Sequence, residues 1–297
     1  MKWIKAARLR TLPLSLAGII MGGSLSYCIS FNSTIFWLCI ATATAFQLLS
    51  NFANDYGDFA KGTDNEDRVG PKRTMQAGLI SKKEMKTALI ITSIISLILG
   101  GYLSYLGTQL MDTKFLVLFL VLGIASVAAA IKYTVGKNAY GYSGMGDIFV
   151  FLFFGLLGVL GSKFLISGGL ELLDLLPSMS IGLFSVAVLN INNMRDEHND
   201  KANNKNTLVV KMGLKKAKIY HYVSLTVGMV FLIVFSIINF SSYWQFIFII
   251  PFALLIKHLI FVIKTTENKS FDAELKKVAL STFFISILFF LGTFLSC

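Results

Sequence analysis

Four stretches of the chain, 11–54, 87–111, 219–256 and 278–297, contain no Asp, Glu, Lys or Arg. A run of ~20 apolar residues crosses a bilayer as a helix. The first and third stretches are long enough for two spans each, with polar breaks at Ser30-Phe31-Asn32-Ser33 and Asn239-Phe240-Ser241-Ser242. Shorter apolar runs fill the intervals. The pattern predicts nine spans at 11–30, 35–53, 87–106, 113–131, 145–164, 173–191, 221–238, 243–262 and 278–295. The fifth is the weakest, because Asp147 and Lys163 bound a short charge-free stretch. Backbone groups in lipid must pair within their own segment, so the spans are helices. A β-barrel would alternate apolar and polar residues over short segments, and this chain does not. The expectation is an all-α, polytopic membrane protein.

Composition agrees. The chain is 55% hydrophobic and 14% charged, against about 25% charged for a soluble domain. The first apolar run has no convincing small-residue cleavage site and leads directly into further spans, so it is not read as a signal peptide. Cys28, Cys39 and Cys297 are odd in number and sit in or at the end of apolar runs. They match no zinc spacing and no disulfide framework, and read as small hydrophobes.

Basic residues set the orientation. Of the 27 Lys and Arg, 25 fall in the N-terminal segment and the even-to-odd connections, leaving only Lys114 and Lys163 on the opposite side. The N-terminus and the charged loops therefore face the cytoplasm and the C-terminus faces out. The net charge of +11 belongs to that face. Topology and anionic lipid account for it, without nucleic acid. Nothing points to an obligate protein partner.

The two longest cytoplasmic connections repeat a pattern. Asn54-x-x-x-Asp58 follows the second span and Asn192-x-x-x-Asp196-x-x-x-Asp200 follows the sixth. Lys72-Arg73-Thr74, then Gly78-Leu79 and Lys82-Lys83, is echoed by Lys205-Asn206-Thr207, then Gly213-Leu214 and Lys215-Lys216. The loops sit four spans apart. One domain, 1–297, is expected, built from two four-helix halves (about 1–140 and 141–262) and an added helix at 278–295. Such symmetry also occurs in transporters, so it does not by itself separate an enzyme from a carrier.

If the sixth helix continues into its loop, Asn192, Asp196 and Asp200 share one face. Asp55 and Asp64 lie near Asn54 and Asp58, with Gly57 and Gly62 between them. Two facing clusters of carboxylate and amide oxygens suit a hard cation such as Mg²⁺, which commonly shares its shell with substrate phosphates. Lys61, Arg68, Lys72, Arg73, Arg195 and Lys201 offer donors to phosphate oxygens. Glu66, Asp67 and Glu197 read as solvated companions, and His198 as an exposed loop histidine. Acids beside cations at a membrane surface read as a metal–diphosphate site. Departure of diphosphate from an allylic chain leaves a carbocation, which a helix bundle in lipid shields from water and aromatic faces stabilise. The 26 Phe are too many for sequence to single one out.

Three stretches, Ala7–Pro13, Asn54–Gly78 and Ile131–Gly155, together with Asn192–Leu208, resemble the UbiA superfamily of membrane aromatic prenyltransferases. The likeness runs over nearly the whole chain. The long first loop is similar to the branch whose acceptor is 1,4-dihydroxy-2-naphthoate, and differs from the 4-hydroxybenzoate and haem branches. The resemblance implies that Asn54, Asp58, Asp196 and Asp200 hold Mg²⁺ carrying the diphosphate, assisted by Asp55, Asp64 and Asn192. It implies that Lys61, Arg68 and Arg195 grip phosphate. The family's first motif usually places its last acid at position 62, which is Gly here; Asp64 is assigned instead. The implied reaction joins a polyprenyl diphosphate to 1,4-dihydroxy-2-naphthoate, with loss of diphosphate and CO₂, in the cytoplasmic (inner) membrane of a bacterium. Arg8, Arg10, Lys132, Tyr133, Tyr140 and Asp147 flank the same face and are candidates for the acceptor side. Another aromatic acceptor, or a transport function, remains an alternative reading of the same residues.

Overall fold

The helices outrun the apolar stretches that seed them. In a computed structural model, which describes residues 1–66 and 68–297, the second span belongs to a helix that continues to Ala60, and the sixth to one that continues to Ala202. Asp67, expected as a solvated companion, lies outside the described residues.

In chain order the helices are α1 (Lys2–Ala7), α2 (Leu12–Tyr27), α3 (Ser33–Ala60), α4 (Lys82–Thr108), α5 (Thr113–Lys132), α6 (Gly146–Val150), a π-helical stretch (Phe151–Gly161), α7 (Ser162–Ser167), α8 (Leu175–Ala202), α9 (Leu208–Ile238), α10 (Phe252–Lys264) and α11 (Phe271–Ser296). Among the described residues, eight helical segments are long and apolar enough to cross a membrane. The first expected span is the shorter α2, of 16 residues, preceded by a 3₁₀ turn at Leu9–Thr11. The chain is a multi-pass, all-helical membrane protein. α6, the π stretch and α7 run on as one segment, Gly146–Ser167, across the position expected to be weakest.

Local chemistry fixes the ends. The Asn32 side chain accepts from the Ile35 N–H and starts α3. Ser81 and Glu84 form a reciprocal cap on α4. Asp112 caps α5 and Thr207 caps α9. Each such oxygen satisfies an amide that the first turn leaves without a partner. α9 is broken at Gly213 (φ 76°, ψ 160°), so part of what reads as loop in the sequence is a helical turn.

α8 is the central helix. Ile181, Phe184, Ala187 and Val188 pack with Met21 of α2, Leu225 and Leu232 of α9, Leu255 of α10 and Val278 and Ile285 of α11. α4 and α5 lie outside, and Ile90, Ile98, Val121 and Ile124 are more than half exposed, as lipid-facing positions are. Gly155 and Gly182 let the π stretch close on α8: a Cβ at Gly155 would stand 2.6 Å from the Gly182 Cα and 2.8 Å from the Ser178 carbonyl oxygen.

Several buried polar groups are paired across helices. His221 of α9 meets His258 of α10 at 2.8 Å, and His258 Nδ1 meets Glu274 of α11 at 2.7 Å. Lys163, expected at the outer surface, is instead 1% exposed and pairs with Asp174 at 2.6 Å. An ammonium on a spanning helix needs such a partner.

The cysteine reading is corrected. Cys28 and Cys297 form a disulfide, with Cα atoms 5.8 Å apart, whereas Cys39 is free and buried. The ends of α2 and α11 meet on the same side, beside the packed rings of Tyr27, Phe290 and Phe294. Residues separated by 269 positions gave no spacing to read.

Denatured without reductant, the full chain should expose one alkylatable thiol by mass spectrometry, and three after reduction. Three thiols without reductant would refute the bond. Gly155→Val should cost about 1–3 kcal/mol through overpacking, seen as a lower melting midpoint in detergent. A variant as stable as the parent would contradict the close approach of the π stretch and α8.

Candidate active site

The continuation of α3 and α8 beyond their apolar portions carries the acidic motifs. Asn54, Asp55 and Asp58 sit on the last turns of α3, and Asn192, Asp196 and Asp200 on the last turns of α8. The i, i+4, i+8 spacing therefore does fall on a helix. The described residues between α3 and α4 fold over both ends. Asn199 of α8 donates to the Thr63 carbonyl (3.0 Å), and Asn65 donates to Asn203 (3.4 Å). Gly57 lets α3 press on Thr134; a Cβ there would meet the Thr134 Cβ at 2.7 Å.

Asp58 is 2% exposed and richly partnered. One carboxylate oxygen accepts from Arg73 Nη1 at 2.6 Å and the other from the Tyr142 hydroxyl at 2.7 Å. Arg73 also donates to the Asn54 carbonyl (2.7 Å) and lies 3.2 Å from Asp64. Arg68 is 3.3 Å from Asp64. Lys205 joins the two motifs: its Nζ is 3.9 Å from Asp58 and 3.6 Å from Asp200. Arg195 holds Asp196 with two hydrogen bonds of 2.8 and 2.6 Å, and also reaches Asp272 (2.6 Å) and Asn192 (2.9 Å). Asp55 turns away toward the loop and accepts from Thr74 at 2.5 Å.

Charge compensation shows in the basicities. Burial works to lower Arg73 and Lys205, but Asp58 with Asp64 outweighs it at Arg73, and Asp58 with Asp200 at Lys205, so both lie above their ordinary values. Burial first, then Asp58, raises the Tyr142 hydroxyl and keeps it a neutral donor. Lys61 sits 3.7 Å over the Tyr142 ring, a cation–π contact.

A cavity of about 400 Å³ opens beside these groups. Its polar part is lined by Asn54, Asp58, Arg68, Arg73, Asn192 and Lys205, and its apolar part by Ile19, Leu103, Phe119, Leu157 and Leu165. Arg8, Arg10, Tyr133 and Tyr140 also line it. Arg8 adopts a left-handed backbone (φ 47°), a strained conformation for a residue with a Cβ. Its guanidinium donates to the Asn51 carbonyl at 3.3 Å. Burial, then repulsion from Arg73, lowers Arg8 to about 9. The Tyr140 hydroxyl is engaged with the Ala129 carbonyl (2.9 Å), and its ring stacks on Phe149 at 3.9 Å.

Sequence and structure part at identifiable places. Lys132 is exposed and lines no part of this cavity, nor do Asp147, Lys72 or Lys201. Lys61 faces a separate pocket with Tyr142 and Asn203. Arg195 is buried against acids rather than turned to the cavity. Glu66 and His198 are exposed as expected, while Glu197 is half-buried and accepts from Asn268. Tyr142, Lys205 and Asn199 were missed as site residues. Only Lys205 carried a signal, its place in the repeat after the second motif.

The chain belongs to the UbiA prenyltransferase family, whose model matches residues 15–291. It is similar to the 1,4-dihydroxy-2-naphthoate octaprenyltransferases of Haemophilus influenzae, 41% identical over 98% of this chain and 94% of that one, and of Escherichia coli K12, 41% identical over 99% and 95%. In fold it is similar to a UbiA homolog from Archaeoglobus fulgidus solved bound to DMAPP and Mg²⁺, with a TM-score of 0.67 and 15% identity over 100% of this chain and 99% of that one.

The donors suit Mg²⁺ as a shared ligand. Among the described residues no three His, Cys, Asp or Glu converge closely enough to hold a metal alone. Yet Asp55 Oδ1 and Asp200 Oδ2 are buried oxygens without a hydrogen-bond partner, and Asp64 has ion-pair neighbours but no aligned hydrogen bond. Such oxygens are costly unless something compensates them. Oxygen-only donors, too few for a full shell, fit an ion completed by phosphate.

Arg73→Met should leave buried Asp58 and Asp64 without their shared cation, with Tyr142, Lys205 and Arg68 still beside them, and cost up to about 3 kcal/mol, measured by thermal denaturation in detergent, with Arg73→Lys intermediate. An Arg73→Met protein as stable as wild type would show that these acids are compensated elsewhere.

Proposed function

We propose that the protein transfers a polyprenyl group from polyprenyl diphosphate to 1,4-dihydroxy-2-naphthoate, releasing diphosphate and CO₂ and giving demethylmenaquinone. The observation that carries this reading is the two-part cavity: oxygens and cations from both acidic motifs at one end, and an uncharged wall of Ile19, Leu103, Phe119 and Leu165 at the other. That division matches an anionic head on a hydrocarbon tail. The naphthoate acceptor is supported by the two relatives at 41% identity.

In this reading Asn54, Asp58, Asp196 and Asp200 hold Mg²⁺, with Asn192 and Asp64 beside them and Asp55 bracing the loop through Thr74. Bound Mg²⁺ would offset the charge that develops on the departing diphosphate. Arg68, Arg73 and Lys205 supply hydrogen bonds to its oxygens, and Lys61 and Arg195 keep Tyr142 and Asp196 in position. The apolar wall excludes water from the allylic cation, which would otherwise be hydrolysed. Arg8 and Arg10 offer charge for the acceptor's carboxylate, and Tyr133 and Tyr140 offer ring surface. The protein sits in the bacterial cytoplasmic membrane with its N-terminus and this site inside. The two halves of the chain each contribute one motif, as a duplicated four-helix unit would.

In membranes supplied with Mg²⁺, an allylic polyprenyl diphosphate and 1,4-dihydroxy-2-naphthoate, prenylated and decarboxylated product is expected by mass. EDTA should abolish it. Asp58→Asn or Asp200→Asn should lower turnover by at least about a hundredfold, as loss of a principal charge-stabilising group does. Turnover near wild type in either variant rejects the site. Product only with 4-hydroxybenzoate would reassign the acceptor.

A further inference from the structure

The second motif presents Asn192 to the cavity but not its acids, and the turn after it presents a lysine. Lys205 lines the cavity whereas Asp196 and Asp200 do not. The Lys205 ammonium stands within 4 Å of one acid from each long helix, Asp58 and Asp200, on a side chain 12% exposed. Behind it, Asp200 Oδ2 is buried without a hydrogen-bond partner. The Lys205 amide donates to the Asp200 carbonyl at 2.8 Å, so the backbone is anchored and the ammonium can be relocated by the four-carbon stem alone. Arg73 holds Asp58 at 2.6 Å through a contact that does not involve Lys205.

We propose that Lys205 is an exchangeable counter-ion: it neutralises Asp58 and Asp200 together, yields its place between them to a divalent cation, and turns its ammonium onto the diphosphate arriving with that cation. This rests on the reading of the site as one for a metal and a diphosphate. One point between two carboxylates does not accommodate both an ammonium and a dication. A dication alone must drive the ammonium into a pocket already holding Arg68 and Arg73. A diphosphate gives that ammonium a new partner, so the two ligands reinforce each other, and the coupling is reciprocal. A compact charge on a flexible stem suits this task, where a rigid guanidinium fork does not.

The test is Mn²⁺ binding to the purified full-length protein in detergent. Free ion is followed by its paramagnetic resonance signal, with and without inorganic pyrophosphate, after subtracting the complex the two form in solution. Wild type should bind Mn²⁺ at least about 5-fold more tightly with pyrophosphate, the lower end of ordinary site-to-site coupling. Lys205→Gln and Lys205→Met should each bind Mn²⁺ alone more tightly than wild type and lose most of the coupling. Lys205→Arg should keep the wild-type weakness toward Mn²⁺ alone. A merely structural lysine would weaken both measurements. Wild type without coupling, or neutral variants that bind Mn²⁺ alone no better than wild type, overturns the proposal. Binding that needs Asp58 and Asp200 but ignores Lys205 overturns this proposal only. Binding that ignores Asp58→Asn and Asp200→Asn overturns the metal-site reading itself.

Discussion

The neutralisation of buried carboxylates by buried cations at the ends of α3 and α8 is the constraint that organises this molecule. Asp58, Asp64, Asp196 and Asp200 are each less than 9% exposed. An ionised carboxylate withdrawn from water is tolerated only when paired and hydrogen-bonded. Arg73, Arg68, Lys205 and Arg195 meet that demand, and the two that serve Asp58, Arg73 and Lys205, both lie outside α3. The loop after α3 therefore has to fold back over its own helix, and the turn after α8 has to reach across to it. The burial of Thr63 and Thr74 follows from that folding.

The same arrangement gives the cavity its two characters. Where the helices leave the apolar layer, their side chains are amides, acids and bases. Deeper in the cavity α3 offers Phe46, Ala43 and Cys39 among small polar side chains and α8 offers Leu189 and Val188, while Ile19, Leu103, Phe119, Leu157 and Leu165 come from other helices. The ends of α3 and α8 thus supply much of the polar mouth, and α2, α4, α5, the π stretch and α7 supply most of the oily interior. Tyr133, Tyr140 and Phe149 stand at the boundary. Their rings pack edge-to-face and then stacked, at 5.3 and 3.9 Å.

Much of this was legible in the residues. Charge-free stretches located the spans, because lipid permits little else, and an i, i+4, i+8 pattern of oxygens located the acids on one helical face. What was illegible depended on contacts between distant segments. Tyr142 looks like any interfacial tyrosine until a 3₁₀ turn at Tyr140–Tyr142 delivers its hydroxyl to Asp58. Lys163 looks like a surface lysine until Asp174 is found beside it. Arg195 sits within the second motif and reads as a phosphate ligand, yet Asp196 and Asp272 take its donors first. Lys132, at the end of α5, obeys the rule that basic residues end spans and has no place at the cavity. Local pattern reports which face of a helix a residue occupies, but not which neighbour reaches that face first.

The bond between Cys28 and Cys297 carries a consequence for assembly. It closes residues 28–297 into a covalent ring that takes in every spanning helix after α2. Such a ring can shut only when α11 has been threaded and its end has met the end of α2. The linkage is thus a chemical record that the ends of α2 and α11 have met: a chain whose α11 end lies on the other side of the bilayer from the α2 end stays open.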